Sequence, residues 1–410
     1  MKFTNSIDLL NKAKQLIPLA TQTFSKGYRY FPKGVSPIYI RLGQGSHIWD
    51  IDGNEYIDFI CGLGPITLGW NYPAVNEAIK KQLKDGIIFS LPHSLEVELS
   101  ELLVELIPCA EMIRFTKTGS EATSAAIRAA RAYTGRDHIA FRGYHGWHEW
   151  YAITTEKPKG IPRVMNDLIA PFEYNSIDSL WRAFAAHRDD IAAVIMEPVI
   201  VQSPENNFLQ EVKELTHQKG AVLIFDEIVT GFRWSLSGAQ GYFNVIPDLA
   251  TFGKGMANGM PLNCIVGRRD IMKEFEDIFV SSTFGGECLS LAAGLATITE
   301  MKNKDTITKI WNLGEYLMRG LKDIGIEVLG YSCRPMIVFP DDPKTKSLWL
   351  QELIKQNILI HSGGLINLCY SHSFADIDKA ITAFDIVLKL IKENKVELEG
   401  EIVQPAFRRL

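Results

Sequence analysis

From Met112 to Arg268 the chain alternates short, doubly apolar runs with helix-like stretches, and that alternation constrains the fold more than any other feature. The runs are "MIRFTK", "HIAFR", "IAAVIMEPV", "AVLIFDEI", "DLATFG" and "NCIVGR". A strand that is apolar on both faces must be covered on both, which is the situation of buried parallel strands. The covers are at hand in "EATSAAIRAARAYTG", "DSLWRAFAAHRD" and "FLQEVKELTHQKG". The expected core is therefore an α/β domain around a mostly parallel sheet.

The flanks read differently. "GQGSHIWDIDGNEYIDF" is a hairpin in pattern, with Asp52-Gly53 as its turn. After Met301 come a helical stretch, short strands and a further helix, "ADIDKAITAFDIVLKLI". Both ends are expected to combine into a smaller α+β domain. The boundaries drawn are 1–55 for the N-terminal segment of that domain, 56–305 for the large domain and 306–410 for the C-terminal part. The stretch after Asn394 carries no assigned role.

A chain of 410 residues with 43 basic and 48 acidic side chains has no charge excess that would favour nucleic acid or an anionic membrane as a partner. "MKFTNSIDLLNKAKQLIPLA" breaks its apolar positions with Asp8, Lys12 and Lys14, so it reads as an amphipathic helix and not as a signal peptide. The longest apolar candidate for a membrane span is interrupted by Glu197 and Pro198. The six cysteines are scattered without a CxxC pair, which fits buried thiols in the cytoplasm. "YHGWHEW" brings His145, His148 and Glu149 close in sequence but lacks the HExxH order, so no metal is expected.

In an open parallel sheet, ligands gather at the carboxyl ends of the strands. Gly119 and Ser120 follow "MIRFTK" and open an alanine-rich helix, where free amides and the helix dipole favour a phosphate. The alternative is a plain cap, with Thr118 and Glu121 as a capping box. Asp226 and Glu227 end "AVLIFDEI", and Lys254 follows "DLATFG" between two glycines. Alone, Lys254 is a loop lysine and Asp226 an ion-pair or metal-binding carboxylate. Together, a phosphate cradle, an aspartate and a desolvated lysine supply what pyridoxal phosphate (PLP) requires. The nucleotide-binding patterns fail on spacing: Asp248 stands where a P-loop needs glycine, and Gly62, Gly64 and Gly69 miss GxGxxG.

Eight stretches, from "GSHIWDIDGNEYIDF" through "TGSEATSAAIRAAR", "GYHGWHEW", "IFDEIVTGFR" and "GAQGYFNVIPDLATFGKGMANGMP" to "SSTFGGECLSLAAG", stand in one order. In them the chain resembles the class III, fold type I, PLP-dependent aminotransferases, nearest the glutamate-1-semialdehyde 2,1-aminomutase branch. The resemblance spans about residues 18–390. It implies a seven-stranded, mostly parallel sheet and a homodimer with active sites at the interface. By position, Lys254 would form the Schiff base and Asp226 would hold the ring nitrogen protonated. Gly119 and Ser120 would bind the phosphate, Tyr144 would stack on the ring and Ile228 would pack its other face. Thr283 would reach the neighbouring subunit's phosphate, and Glu197 would be supporting.

The departures from the family pattern collect at substrate positions. Lys26, or Arg29 with a shifted gap, stands where the aminomutases carry an arginine, and Ser362 stands near their late glutamate. Trp147 and Trp150 enlarge a smaller family sequence, and Glu287-Cys288 replaces Asn-Pro. Arg233 is open between contact with a substrate carboxylate and a structural ion pair. The implied activity is transfer of an amino group from a small-molecule donor, glutamate being the first candidate, to an aldehyde or ketone acceptor, including hydroxylated or sugar-derived carbonyls. The alternatives are intramolecular transfer in glutamate-1-semialdehyde, and a non-catalytic PLP-binding protein.

Overall fold

The computed structural model describes residues 1–187 and 190–404, and the chain divides into two compact units, Pro73–Ile307 and Met1–Tyr72 with Thr308–Leu410. The larger unit is built on seven strands: β1 (Met112–Thr116), β2 (His138–Arg142), β3 (Ile169–Pro171), β4 (Ile191–Met196), β5 (Val222–Asp226), β6 (Leu249–Phe252) and β7 (Asn263–Gly267). Their order across the sheet is β1-β7-β6-β5-β4-β2-β3.

Strands β3, β2, β4, β5 and β6 are parallel, and β7 runs antiparallel to both β6 and β1. This corrects the expectation that "NCIVGR" is one more parallel strand. Its five residues are all buried, so an apolar strand in mid-sheet carries no mark of its direction. One consequence matters for the site. Because β7 alone is reversed, β1 points the same way as β4, β5 and β6, and the carboxyl ends of all four share one edge. Strand β1, at the sheet margin, is only partly buried, unlike the doubly covered strand that its sequence suggested. Strand β3 was not foreseen; it is three residues long and ends in a proline.

Helix α1 (Gly119–Thr134) lies against the sheet through Ala122, Ala125, Ala126, Ala129 and Ala130, none more than 4% exposed. Such small side chains let a helix axis approach a sheet closely, and each larger apolar side chain buried beneath it contributes about 1.5–3 kcal/mol. Gly135 ends α1 in a left-handed cap at φ 67°. The stretches foreseen as helical at 178–189 and 208–220 form helices Ile177–Ala186 and Phe208–Gln218. Residues 188 and 189 of the first lie outside the described residues.

The terminal unit holds a four-stranded sheet in the order Ile40–Gln44, His47–Asp50, Glu55–Asp58, Ile358–Leu359. The hairpin expected at Asp52-Gly53 is present. Buried Asp50 accepts from the amides of Asp52 (3.0 Å) and Asn54 (2.8 Å), and Gly53 turns at φ 90°. This unit reaches Tyr72 instead of stopping at 55. The reason is its hydrogen bonding: Phe59 donates to Leu359, Asn367 to Phe59, Tyr370 to Thr67, and the Trp70 indole to Asp58 at 3.0 Å. The N-terminal helix, Thr4–Leu16, is amphipathic as read, burying Ser6, Leu10 and Ala13. Of the stretch after Asn394, residues up to 404 are described: Glu399 and Gly400 donate to Gln351, and Val403 donates to Ser347 at 3.0 Å. Among the described residues, no helix is long and apolar enough to cross a membrane.

His47 forms a clamp in this unit. Its Nδ1 meets Glu55 at 2.8 Å and its Nε2 meets Asp376 at 3.2 Å, at the capped start of helix Phe374–Lys392. The hydrogen bond that His47 makes to the Asp376 carboxylate raises the histidine pKa against the opposing effect of burial. For Asp376, burial pushes upward, but His47, Ser373 and Ser46 together hold the carboxyl well below its usual range. The His47 contribution is therefore complete below the unfolded histidine value, about 6.5, and fades as pH rises through the higher folded value. The Asp376 contribution is complete above about 3.9 and fades as pH falls toward its depressed folded value. Thermal stability is expected to be greatest between these limits. His47→Gln is expected to flatten the alkaline decline, worth roughly 1 kcal/mol, in melting curves recorded from pH 5 to 9.

Candidate active site

The site lies on the shared carboxyl edge of the larger unit. Asp226 is the last residue of β5 and is paired in register with Thr251 of β6, so Lys254 follows three residues beyond that pair. Glu197 comes directly after β4, Tyr144 and His145 follow β2, and Gly119 and Ser120 open α1 after β1. Five separate loops thus bring the expected residues to one rim.

At the start of α1 the capping box is formed. Thr118 accepts from the Glu121 amide, and the Glu121 carboxylate accepts from the amides of Thr118 and Lys117, completing a capping box. That box leaves the amides of Gly119 and Ser120 without an acceptor among the described residues. Ser120 Oγ accepts from the Trp147 amide at 3.0 Å, which leaves its O–H free to donate. Two free amides, one hydroxyl and the positive end of a 16-residue helix form a good anion cradle. Ile228 packs beside it: a Cβ on Gly119 would lie 3.5 Å from the isoleucine side chain.

Asp226 is 3% exposed and held on both oxygens. Oδ1 accepts from the Ile228 amide at 3.1 Å and from Thr251 at 3.3 Å, while Oδ2 meets His145 Nδ1 at 2.7 Å. The other ring nitrogen of His145 faces the Arg142 carbonyl at 3.1 Å, and the ring stacks on Trp150. His145 thus fixes the aspartate against a wall of aromatic rings. The sequence reading weighed His145 only as a metal ligand; its position just past a strand end was the signal that it serves the same rim. His148 does not join it, since its Nδ1 meets Ser124 at 2.7 Å and burial lowers its pKa.

Glu197 is buried, and its Oε1 accepts from the Tyr144 amide at 2.7 Å. Burial raises its pKa and the Asp226 charge adds to that, while the Tyr144 amide, His145 and Lys254 pull the other way. Lys254 is thus among the charges that hold the Glu197 carboxyl down. Tyr144 stands edge-on to Tyr151, with centroids 5.3 Å apart.

Lys254 adopts φ 40°, a left-handed conformation in which a non-glycine residue is strained. The loop fixes it there. A Cβ on the preceding Gly253 would fall 1.8 Å from Asn263 Oδ1 and 3.1 Å from Ile228, so only glycine permits this approach. Asn263 in turn donates to the Lys117 carbonyl at 2.9 Å, linking the lysine loop to the anion cradle. The combination fits PLP: an acidic partner for a ring nitrogen, an amine, a phosphate cradle, and side chains for both ring faces.

The expected substrate positions are divided between the two units. Arg233 is 2% exposed, in the loop that follows β5. Trp147 is 72% exposed, and Thr283 is also exposed. Lys26 and Arg29 belong to the terminal unit, on short turns where Arg29 meets the Tyr28 hydroxyl at 3.4 Å. Ser362, in the same unit, is buried with its hydroxyl unpartnered among the described residues. Glu287 caps helix Cys288–Asn303 and pairs with Lys117 at 3.1 Å, which accounts for an acidic residue at that position.

Gly146 gives a direct test of the cradle. It sits at φ 101°, and a Cβ there would lie 2.3 Å from Ser120 Oγ. Gly146→Ala is expected to strain the loop by about 1–3 kcal/mol and to weaken PLP binding by roughly tenfold or more. Titration of the apoprotein with PLP checks this.

The family model for class-III aminotransferases matches residues 30–328. A 3-aminobutyryl-CoA aminotransferase of Cloacimonas acidaminovorans is 37% identical over 96% of this chain and 99% of its own length. A glutamate-1-semialdehyde 2,1-aminomutase of Methanocella arvoryzae is 39% identical over 79% of each. Among solved structures, the FumI protein of Sphingopyxis sp. MTA144, in its PLP internal aldimine form, superposes with a TM-score of 0.90 at 27% identity, covering 98% of this chain and 99% of that one.

Proposed function

The chain belongs to the class-III aminotransferases, PLP-dependent enzymes of fold type I, and from that membership we propose that Lys254 carries amino transfer from a small-molecule donor to an aldehyde or ketone acceptor. The observation that carries the assignment of residues is the register of β5 and β6. It sets Asp226 and Lys254 on one rim with the free amides of Gly119 and Ser120.

When bound, PLP supplies an aldehyde that condenses with amines and a ring that stores the electron pair of a broken C–H bond. Lys254 Nζ holds the cofactor between turnovers, and it takes the proton from the amine-bearing carbon of the substrate and returns it. Its strained backbone, locked by Gly253 and Asn263, keeps the amine aimed. Asp226 keeps a proton on the ring nitrogen, and His145 holds the carboxylate in place for that task. Gly119 and Ser120 grip the phosphate. Tyr144, anchored through its amide by Glu197, covers one ring face and Ile228 the other.

The active unit in this reading is a homodimer in which Thr283 of each subunit reaches the neighbour's phosphate. Exposed Thr283 and its exposed apolar neighbours Phe279 (85%) and Phe284 (58%) support such a face. The six free thiols, all buried, support a cytoplasmic location.

For the acceptor we favour a carbonyl compound in the oxidation state of a keto acyl thioester, because the 3-aminobutyryl-CoA aminotransferase is similar along nearly the whole chain. The second reading, an aminomutase acting within glutamate-1-semialdehyde, is supported by the aminomutases at 34–39% identity. A panel followed by mass spectrometry separates the two. Glutamate with an acetoacetyl thioester, with glutamate-1-semialdehyde, and with a hydroxylated aldehyde should yield an aminated acceptor and 2-oxoglutarate in at least one pairing. Isomerisation of glutamate-1-semialdehyde without an external donor, and no transfer elsewhere, would replace the first reading by the second.

A further inference from the structure

The terminal unit holds a second reactive cluster, unrelated to the residues above. Cys61 follows strand Glu55–Asp58 in a left-handed conformation, φ 48°, and Leu63 repeats this at φ 79°. Cys369 and His372 form a Cys-x-x-His turn ahead of helix Phe374–Lys392. One donor atom from each of the three lies within 4.8 Å of the others, and none of the residues is more than 1% exposed.

The polar accounting of this cluster is unusual. His372 Nδ1 accepts from the Cys369 amide at 3.0 Å and lies 3.1 Å from Cys369 Sγ. Nδ1 also lies 3.3 Å from the Cys369 carbonyl, so this nitrogen is turned into the cluster in either tautomer. The buried Nε2 has no partner among the described residues, and the ring is held by stacking on Phe59 at 5.0 Å. Leaving a buried polar atom unpaired is costly. The ring accepts that cost and keeps Nδ1 turned inward. Cys61 Sγ, meanwhile, donates to the Asn367 carbonyl at 3.1 Å, which places a fourth donor beside the group.

The geometry points to a structural zinc site formed by Cys61 Sγ, Cys369 Sγ, His372 Nδ1 and the main-chain oxygen of Asn367. Two sulfurs and an imidazole are the donor types that zinc selects, and the main-chain oxygen beside Cys61 would fill the fourth position of a site closed to water. Tetrahedral donors at 2.0–2.3 Å from zinc stand about 3.5 Å apart, so the 3.1 Å spacings open by only about half an ångström. On binding, both S–H bonds break, two protons leave to solvent and two S–Zn bonds form. No electron is transferred. Two thiolates and a divalent ion sum to zero, whereas a monovalent ion would leave a net negative charge in a dry interior. The hydrogen bond from the Cys369 amide to Nδ1 is given up. In return, the strained turn at Cys61–Leu63 is fixed to the segment 367–372.

Because the cluster is closed to solvent, metal enters as the chain folds. The full-length protein, expressed in zinc-supplemented medium and dialysed, is expected to retain about one zinc per chain by elemental analysis. Refolding with Co²⁺ should give sulfur-to-cobalt charge-transfer absorption. Cys61→Ser and Cys369→Ser should each lose the zinc and the cobalt band, while cofactor absorbance reports whether the rest of the chain is folded. Zinc far below one per chain in the wild type, with no cobalt band on refolding, overturns the proposal even if both variants fail to fold. So does zinc content unchanged in either serine variant. Neither readout depends on amino transfer, so failure here leaves the proposed activity untouched.

Discussion

Lys254→Ala is expected to lower the rate of amino transfer by at least about 10³-fold, because it removes both the amine that holds the cofactor and the base that moves the proton. The cradle at Gly119 and Ser120 and the aspartate remain, so the variant should still bind PLP non-covalently. The visible absorbance of lysine-bound cofactor should disappear, and borohydride should no longer fix the cofactor to the chain. Added methylamine, which can replace the missing base, should restore part of the proton transfer but not the native linkage. Retention of a normal rate by Lys254→Ala would remove this residue from the chemistry. An unchanged spectrum on adding any amine donor to the wild type would favour a binding protein instead of an enzyme.

Asp226→Ala is expected to cost about 10²–10³-fold in kcat, the usual scale for one preorganised electrostatic partner. Its neighbours allow a sharper form of the test. Asp226 is held by Ile228, Thr251 and His145, and only His145 presents an ionisable ring. His145→Gln should therefore give a smaller loss, about 10–100-fold as for other supporting contacts, with KM for the donor little changed. It should also move the pH dependence of the cofactor's absorbance, which a purely structural defect would not do. If the two substitutions cost the same and leave that profile alone, His145 supports the fold and not the aspartate.

The larger unit was legible because most of its short strands are apolar on both faces and alternate with clear helices. The capping box in "TGSE" was legible too, and the structure forms it through Thr118 and Glu121. What could not be read was of two kinds. Strand direction in mid-sheet leaves no trace in side chains, which is why β7 was taken for a parallel strand. Long-range pairing leaves none either. Residues 56–72 join the terminal unit through hydrogen bonds to Leu359, Asn367 and Tyr370, about 300 positions away, and the Cys61–Cys369 proximity has the same origin. His145 lay between these cases: it was noticed, but for metal binding, because nothing local says that its ring turns toward Asp226.

The central claim, that amino transfer runs through Lys254, is tested most directly by reducing the PLP-loaded protein with borohydride and mapping the modified peptide by mass spectrometry. The account predicts a single pyridoxyl group on Lys254, in the peptide containing "TFGKGMANGMP", and its loss when an amine donor is added before reduction. A pyridoxyl group on another lysine, or none at all, would contradict it.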